Sequence, residues 1–330
     1  MIAVALNVPD TSAALAAMQI AARVADLVEL RLDLMREYDL PRLLAERPCP
    51  VVVTNRPIRE GGCYSGSEFA RMEPLWQAMA LGAEHVDIEW DSVEGMAGRD
   101  RGATRLIVSQ HDFTGMPVDL PERARRLATL GGDIVKVAGM ARQLLDTVPV
   151  LETLAQAKQP TIAMAMGEAG VLSRLLALRY PACYLSYGAL TTGQSTAPGQ
   201  LSVEAMRWTY RAGAIQAGAA IYGLLAPDAN CSPFIVKVNR MWEEAGKKAV
   251  LLPFQPAQHE HPAAVVTGFR KYGVLGYLVH DTYRETVLPA LDELSSTARA
   301  AHAVNVILVE DGLLWGDLVT GDLWAWLNAF

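Results

Sequence analysis

Eight short β-like runs, alternating with segments of helical spacing, fill roughly the first 210 residues, and this alternation constrains the fold more than anything else in the chain. The runs are Met1–Val8, Leu27–Asp33, Pro50–Arg56, His85–Trp90, Arg105–Ser109, Asp133–Val137, Thr161–Met166 and Ala182–Ser186. Between them, apolar residues recur at helical spacing, as in Phe69, Met72, Leu75/Trp76 and Met79, or Leu144/Leu145, Val148, Leu151 and Leu154. Asp10-Thr11-Ser12, Ser67-Glu68 and Pro121-Glu122 mark helix starts, and Gly131 closes a helix. Strict alternation implies parallel strands. Eight units in this length predict a closed α/β barrel, the (β/α)8 or TIM type, rather than an open sheet. An open sheet would have fewer strands and often a glycine fingerprint for a dinucleotide. Neither GxGxxG nor GxxxxGK[ST] occurs, so no nucleotide cradle is visible.

After Arg211-Ala-Gly213 the pattern restarts. Ala214–Leu225 reads as a strand, Ser232-Pro233 opens a helix to about Ala245, and strands follow at Ala249–Phe254, Tyr272–Val279 and Ala303–Glu310. Asp311-Gly312 turns into a last strand, Leu313–Asp317. Because eight strands already close a barrel, residues 214–330 are expected to form a smaller α/β domain, with the boundary near Gly213. The chain is 51% hydrophobic and 20% charged, ordinary for a folded α/β protein. Its net charge of −7 and lack of basic runs disfavour nucleic acid. No apolar run reaches the roughly eighteen residues of a membrane span, and the N-terminus lacks a signal-peptide layout, so a cytoplasmic location is expected. Cys49, Cys63, Cys183 and Cys231 form no CxxC pair and read as reduced thiols packed as small hydrophobes. There is no HExxH, and His259 and His261 read as part of a solvated loop; no metal is expected.

Charge then appears where a barrel strand should be apolar. Glu29, Arg31 and Asp33 alternate with Val28, Leu30 and Leu32; Asp87, Glu89 and Asp91 alternate with Val86, Ile88 and Trp90. The outer face of a parallel barrel packs on helices, so these charges should point inward, near the mouth where barrel active sites lie. For Asp87 and Glu89 an interior salt-bridge layer is an equal alternative to function. Lys136 lies in the β-branched run Asp133-Ile-Val-Lys136-Val-Ala-Gly139. A buried, unpaired ammonium is costly, and the usual escape is a neutral amine, which is a good nucleophile toward ketones. His111, just past strand five, should share its mouth and suits proton transfer at neutral pH. Glu60, in Arg59-Glu60-Gly61-Gly62, could orient that imidazole. Arg174 follows strand seven at a helix start and suits a carboxylate or phosphate. Thr196-Ala-Pro198-Gly199-Gln200 forms a turn before the last barrel helix.

In combination, these segments resemble type I 3-dehydroquinate dehydratase. The carriers are Glu29-Leu-Arg-Leu-Asp33, Thr54-Asn-Arg56, Glu60-Gly-Gly62, Ser109-Gln-His111-Asp-Phe113, Asp133-Ile-Val-Lys136-Val-Ala138, Met166-Gly167, Ser173-Arg174 and Ala197-Pro-Gly-Gln200, in family order across residues 1–212. The resemblance implies an imine between Lys136 and the C3 ketone of 3-dehydroquinate. His111 would remove the C2 proton and protonate the departing C1 hydroxyl, giving syn elimination to 3-dehydroshikimate, with Glu60 orienting His111. Arg174 and Gln200 would hold the substrate carboxylate, while Glu29, Arg31 and Arg56 would bind hydroxyls; Thr196 stands where the family commonly has Ser. No cofactor is implied, and no catalytic position is lost.

Residues 214–330 resemble the substrate-binding lobe of shikimate dehydrogenase, which some lineages fuse to this dehydratase. The carriers are Ile221-Tyr-Gly223, Ser232-Pro233, Gly276, Leu288-Pro289, Leu291-Asp-Glu-Leu294, Ala303-Val-Asn305, Asp311-Gly312 and Gly316. Its chemistry has eroded. The family's Ser-x-Ser-Pro reads Asn230-Cys-Ser232-Pro233. Its Asn-Val-Thr-x-Pro-x-Lys reads Leu278-Val-His280-Asp-Thr282-Tyr-Arg284, so the catalytic lysine is Arg284, and its Asn-Thr-Asp ends in Thr320. An arginine stays charged and cannot take that proton-transfer role. The chain ends at Phe330, where the family's NADP-binding domain would begin; either as a piece or as a whole, it is expected to lack dehydrogenase activity. The lobe could pack on the barrel, support a homodimer or bind a pathway metabolite. A class I aldolase and a metabolite sensor are the competing readings. Trp315, Trp324, Trp326 and Phe330 are expected to form a packed apolar cluster.

Overall fold

The computed structural model describes residues 1–190 and 199–321. The first eight strands are β1 (Ile2–Leu6), β2 (Leu27–Arg31), β3 (Val51–Thr54), β4 (His85–Glu89), β5 (Arg105–Asp112), β6 (Ile134–Met140), β7 (Thr161–Met166) and β8 (Ser186–Gly188). They pair in parallel in the order β7-β6-β5-β4-β3-β2-β1-β8. Among the described residues an isolated bridge between Thr161 and Cys183 joins the ends, so the barrel is nearly closed. Six helices cover its outside: α1 (Thr11–Ala21), α2 (Leu40–Ala45), α3 (Glu68–Ala80), α4 (Leu120–Ala128), α5 (Val148–Gln156) and α6 (Val171–Leu176). Asp10 and Ser67 cap α1 and α3 by accepting from Ala13 and Ala70 N–H. The eighth strand lies further along the chain than expected. Residues 182–184 serve the seam with β7, through Ala182 O and Tyr184 N, and regular pairing starts only where Ser186 meets β1.

The two faces of each strand separate cleanly. Val4, Val28, Val53, Val86, Val108 and Val135 belong to the mantle core under the helices, whereas Ala3, Leu27, Val52, Ile107, Ile134, Ile162 and Leu185 fill the barrel interior. Two residues further along the same inward face come the charges, Glu29 after Leu27 and Lys136 after Ile134. The strands end sooner than the sequence alternation suggests. Asp33 and Asp91 fall in 3-10 turns beyond β2 and β4, where Asp91 is an exposed partner of Arg59. Asp33 instead accepts from the backbone N–H of Arg56 and Cys63, tying the connection after β2 to two points of the connection after β3.

A second sheet follows, with β9 (Ala220–Leu225), β10 (Ala249–Phe254), β11 (Val274–Val279), β12 (Glu293–Leu294), β13 (Val306–Glu310) and β14 (Leu313–Asp317) in the order β10-β9-β11-β13-β14-β12. β9, β10 and β11 are parallel, whereas β13 runs antiparallel to both β11 and β14. Its helices are α7 (Pro233–Glu244), α8 (Pro262–Phe269) and α9 (Ser296–Ala301). β9 begins six residues later than Ala214, because Ala212–Ala214 forms a 3-10 turn. His259 and His261 are exposed in the loop before α8, as expected, and His261 caps that helix by accepting from Ala263 N–H. Among the cysteines, Cys63 and Cys231 are exposed, which corrects their expected packing. Trp315 is half-buried on β14; Trp324, Trp326 and Phe330 lie outside the described residues. Among the described residues no helix is long and apolar enough to cross a membrane.

The sheets meet through specific polar contacts. The Glu260 carboxylate accepts from the backbone N–H of Leu144 and Leu145 in the barrel, each at 2.8 Å, and from Ala257 N–H at 3.0 Å. Arg179, after α6, donates to the carbonyls of Tyr272 and Gly273 at 2.8 and 2.9 Å.

Candidate active site

Lys136 sits on β6 with Ser109 of β5 as its lateral partner, and His111 is two residues further toward the mouth. The same pocket is lined by Glu29, Arg31, Arg56, Glu60, Arg174 and Gln200. The structure therefore gathers all but one of the barrel residues expected from the sequence. Thr196 lies outside the described residues.

The Lys136 ammonium is not unpaired, contrary to expectation. Its Nζ donates to Asp87 Oδ2 at 2.7 Å, lies 3.7 Å from Glu29, and stands 4.8 Å from the centre of the Tyr187 ring. The interior solves the desolvation of the lysine with a fixed counter-charge. Asp87 in turn meets Arg56 at 2.9 Å, and Arg56 donates to Glu89 and to Ser109 Oγ, both at 2.8 Å. Burial opposes ionisation of Asp87, but Arg56 and Lys136 outweigh it and hold the carboxyl well below its ordinary range. Glu89 behaves in the opposite way, since burial outweighs Arg56 and Arg71 and pushes it up. The alternatives left open for these acids thus divide. Glu89 belongs to the salt-bridge layer, and Asp87 belongs both to that layer and to the lysine.

His111 and Glu60 form a second unit. Glu60 Oε2 accepts from the backbone N–H of His111 at 2.7 Å and lies 3.1 Å from its Nδ1. Burial, followed by Arg56 and Lys136, lowers the imidazole well below its ordinary value, which favours the neutral ring. Burial raises Glu60 to about 7. With Glu60 ionised, Nδ1 carries the proton toward it and Nε2 keeps a free lone pair, the state a general base needs.

Arg174 is on α6 within the helix rather than at its start, and it is fully buried. Nη1 reaches Tyr187 O at 3.3 Å, while Nε and Nη2 have no hydrogen-bond partner among the described residues. Burial lowers its pKa to about 10. Arg56 and Arg71 are equally buried, yet both are matched by carboxylates. Arg174 therefore has donor capacity for an anionic group entering the pocket. Arg31 is held by a two-point pair with Asp33, at 2.8 and 2.6 Å. Ser173 is structural: its Oγ accepts from Ala165 N–H and donates to Gly170 O.

Sequence reasoning missed Tyr187, whose hydroxyl is 3.3 Å from Lys136 Nζ, and Met164 and Met166, which line the wall. It also missed Arg71, a residue of α3 that spans Glu89 and Glu68 from outside the barrel. Strand alternation could have marked Tyr187 as inward, had the eighth strand been placed correctly; nothing local marked Arg71.

In the second sheet the positions expected from the resemblance serve local structure. Asn230 O accepts from Tyr210 OH, Ser232 caps α7, and His280 Nδ1 accepts from Thr282 N–H. Arg284 pairs with Asp281 at 2.7 Å, Asn305 binds the backbone of Val319 on both sides, and Thr320 is exposed.

Comparison with known proteins agrees with this picture. Residues 2–216 match the family model for type I 3-dehydroquinase, and residues 228–307 match that for the shikimate dehydrogenase substrate binding domain. An Arabidopsis thaliana protein named bifunctional 3-dehydroquinate dehydratase/shikimate dehydrogenase, chloroplastic, is 29% identical over 88% of this chain, which spans 50% of that protein. A 3-dehydroquinate dehydratase of Methanothermobacter thermautotrophicus is 38% identical over 56% of this chain and 83% of its own length. The dehydroquinate dehydratase and shikimate dehydrogenase structure from S. pombe AroM covers 96% of this chain and 64% of its own, with a TM-score of 0.53 at 24% identity, a likeness that concerns the fold. With the match running through both motif-bearing halves of the barrel, the chain belongs to the type I 3-dehydroquinase family.

Proposed function

We propose that the barrel dehydrates 3-dehydroquinate to 3-dehydroshikimate through an imine on Lys136. The observation that carries this reading is the convergence of Lys136, the His111–Glu60 pair and the unmatched Arg174 guanidinium on one pocket. The Lys136 amine would add to the C3 ketone, and loss of water gives an iminium that draws electrons from C2. His111 Nε2 takes the C2 proton and returns it to the C1 hydroxyl as that group departs. Glu60 holds the ring in the required tautomer through Nδ1. Arg174 binds the substrate carboxylate, supported by Gln200, while Glu29, Arg31 and Arg56 face its hydroxyls.

The test follows the absorbance rise as the conjugated product forms, alongside borohydride trapping of substrate. Wild type should turn over and trap, and Lys136→Ala should do neither. A Lys136→Ala protein that still trapped substrate would sink the assignment.

The domain division supported by this reading is 1–212 and 214–330. The second unit carries no dehydrogenase activity, because Arg284 is held by Asp281 where the related lobes use a lysine. NADP-dependent oxidation of shikimate by this protein would overturn that.

A further inference from the structure

Among the described residues of the pocket, one phenol lies against the reactive nitrogen. Tyr187 is on β8, almost fully buried, and its hydroxyl accepts from Lys136 Nζ at 3.3 Å. The same hydroxyl interacts with the nearby Glu29 carboxylate, which itself accepts from Thr54 Oγ1 at 2.7 Å. Lys136 thus has two hydrogen-bond partners of different kinds, the Asp87 carboxylate at 2.7 Å and a neutral phenol, with Glu29 as a more distant counter-charge. A carboxylate this strongly held by Arg56 stabilises the ammonium but is a poor proton acceptor.

Imine formation demands that protons move. A lysine ammonium and a ketone become an iminium and water, so two protons leave nitrogen and both arrive on the former carbonyl oxygen. That oxygen is two bonds from Nζ once the carbon–nitrogen bond has formed, which puts it within reach of a hydroxyl already in contact with Nζ.

We infer that Tyr187 is a catalytic residue for the imine steps, relaying protons between Lys136 nitrogen and the C3 oxygen. In each transfer the phenol oxygen takes a proton from nitrogen while its own proton, turned from Glu29 to the substrate, passes to oxygen. The first transfer runs together with attack of the amine on C3, the carbonyl oxygen taking the phenol's proton as the carbon–nitrogen bond forms, and it gives the alcohol-amine adduct with its nitrogen still protonated. After the second the carbon–oxygen bond breaks, water leaves, and the nitrogen lone pair closes the iminium. The phenol ends as it began, and no phenolate is needed. This agrees with burial and the nearby Glu29 and Asp87 charges, which hold Tyr187 far above the ordinary range of a phenol. Imine hydrolysis at the end of the cycle uses the same relay in reverse.

The inference rests on the Lys136 imine reading, and the test separates the two. Tyr187→Phe retains the ring under Nζ and removes only the hydroxyl. Its kcat should fall by roughly a hundredfold, the lower end of what a positioned acid–base group contributes. In the same variant the primary isotope effect with C2-deuterated substrate should collapse toward one, as proton abstraction ceases to limit the rate relative to the imine steps. Borohydride should still trap substrate on Lys136, but with a slower approach in single-turnover mixing. A Tyr187→Phe enzyme with wild-type kcat and an unchanged isotope effect overturns the relay. So does one whose only defect is a raised KM or a lowered melting temperature, the mark of a packing role. If wild type itself neither traps substrate nor turns over, the imine reading fails first.

Discussion

Arg174 and Arg56 are both arginines fully enclosed in one barrel, and they should respond to the same substitution in opposite ways. Arg56 shares Asp87 with Lys136 and Glu89 with Arg71, so Arg56→Met leaves two buried carboxylates each short of one partner; breaking such a cluster costs about 3–5 kcal/mol. Arg174 has no carboxylate partner among the described residues, so Arg174→Met removes an uncompensated charge and should leave the melting temperature unchanged or raised. The cost of Arg174→Met falls on binding. Losing charge-assisted hydrogen bonds to a carboxylate, worth about 1.5–3 kcal/mol, should raise KM roughly ten- to hundredfold. Thermal melts and steady-state kinetics on the two variants check both halves. If Arg174→Met unfolds like Arg56→Met, an unrecognised anion in the fold already serves it. The pH profile belongs to this scale too. Activity needs ionised Glu60 beside neutral His111, and burial raises Glu60 to about 7, so kcat/KM should rise with pH through an inflection near 7. That inflection belongs to the coupled pair. Glu60→Gln should remove it along with most of the activity.

Among the elements, the turn entering the last barrel segment leaves no room for a side chain. Gly199 has φ +71°, and a Cβ there would stand 2.0 Å from Gly167 O, in the turn after β7. Gly199→Ala should therefore push apart the turns bearing Gln200 and the approach to Arg174, costing at least about 1–3 kcal/mol of strain. The expected signature is a raised KM with reduced thermal stability. Sequence periodicity resolved the strands well wherever one face was mantle and the other interior, as in β6, where Lys136 broke an otherwise apolar run. It failed where a strand serves two neighbours in succession. Residues 182–184 and 186–188 divide their pairing between β7 and β1, and no alternation reports that split. The α8 segment Pro262–Phe269 carries scarcely any polar face, because both the second sheet and the barrel cover it, so it gave no amphipathic signal. The pairing of Lys136 with Asp87 was hidden for a different reason: the two are 49 positions apart and meet only across the barrel interior.

At the scale of the whole molecule, the second domain is fastened to the connection that follows the lysine strand. Glu260 accepts three backbone N–H groups, two of them from Leu144 and Leu145. From that connection Ala141 N–H reaches Met166 O, and Arg142 contacts Thr114 O in the loop after His111. Glu260→Gln replaces one acceptor oxygen with a donor facing N–H groups. It should lower stability by about 1–3 kcal/mol, the cost of leaving a buried polar group unsatisfied. Hydrogen exchange should show faster opening at 144–145 and in α8 before the barrel strands respond. Unchanged exchange at those amides would mean the two units are held by other contacts.

The pairing of β1 with both β2 and β8 has a consequence during synthesis. Ile2 meets Leu27's strand early but must wait for Ser186 on its other side, 184 positions later (186 − 2). Until the ribosome has released that segment, the newborn N-terminus presents an unfinished strand edge, the kind of surface other chains add to. A nascent chain halted before residue 186 should be a strong client for chaperones. One halted just beyond the barrel should escape them abruptly, with the amine of Lys136 becoming enclosed in the same step.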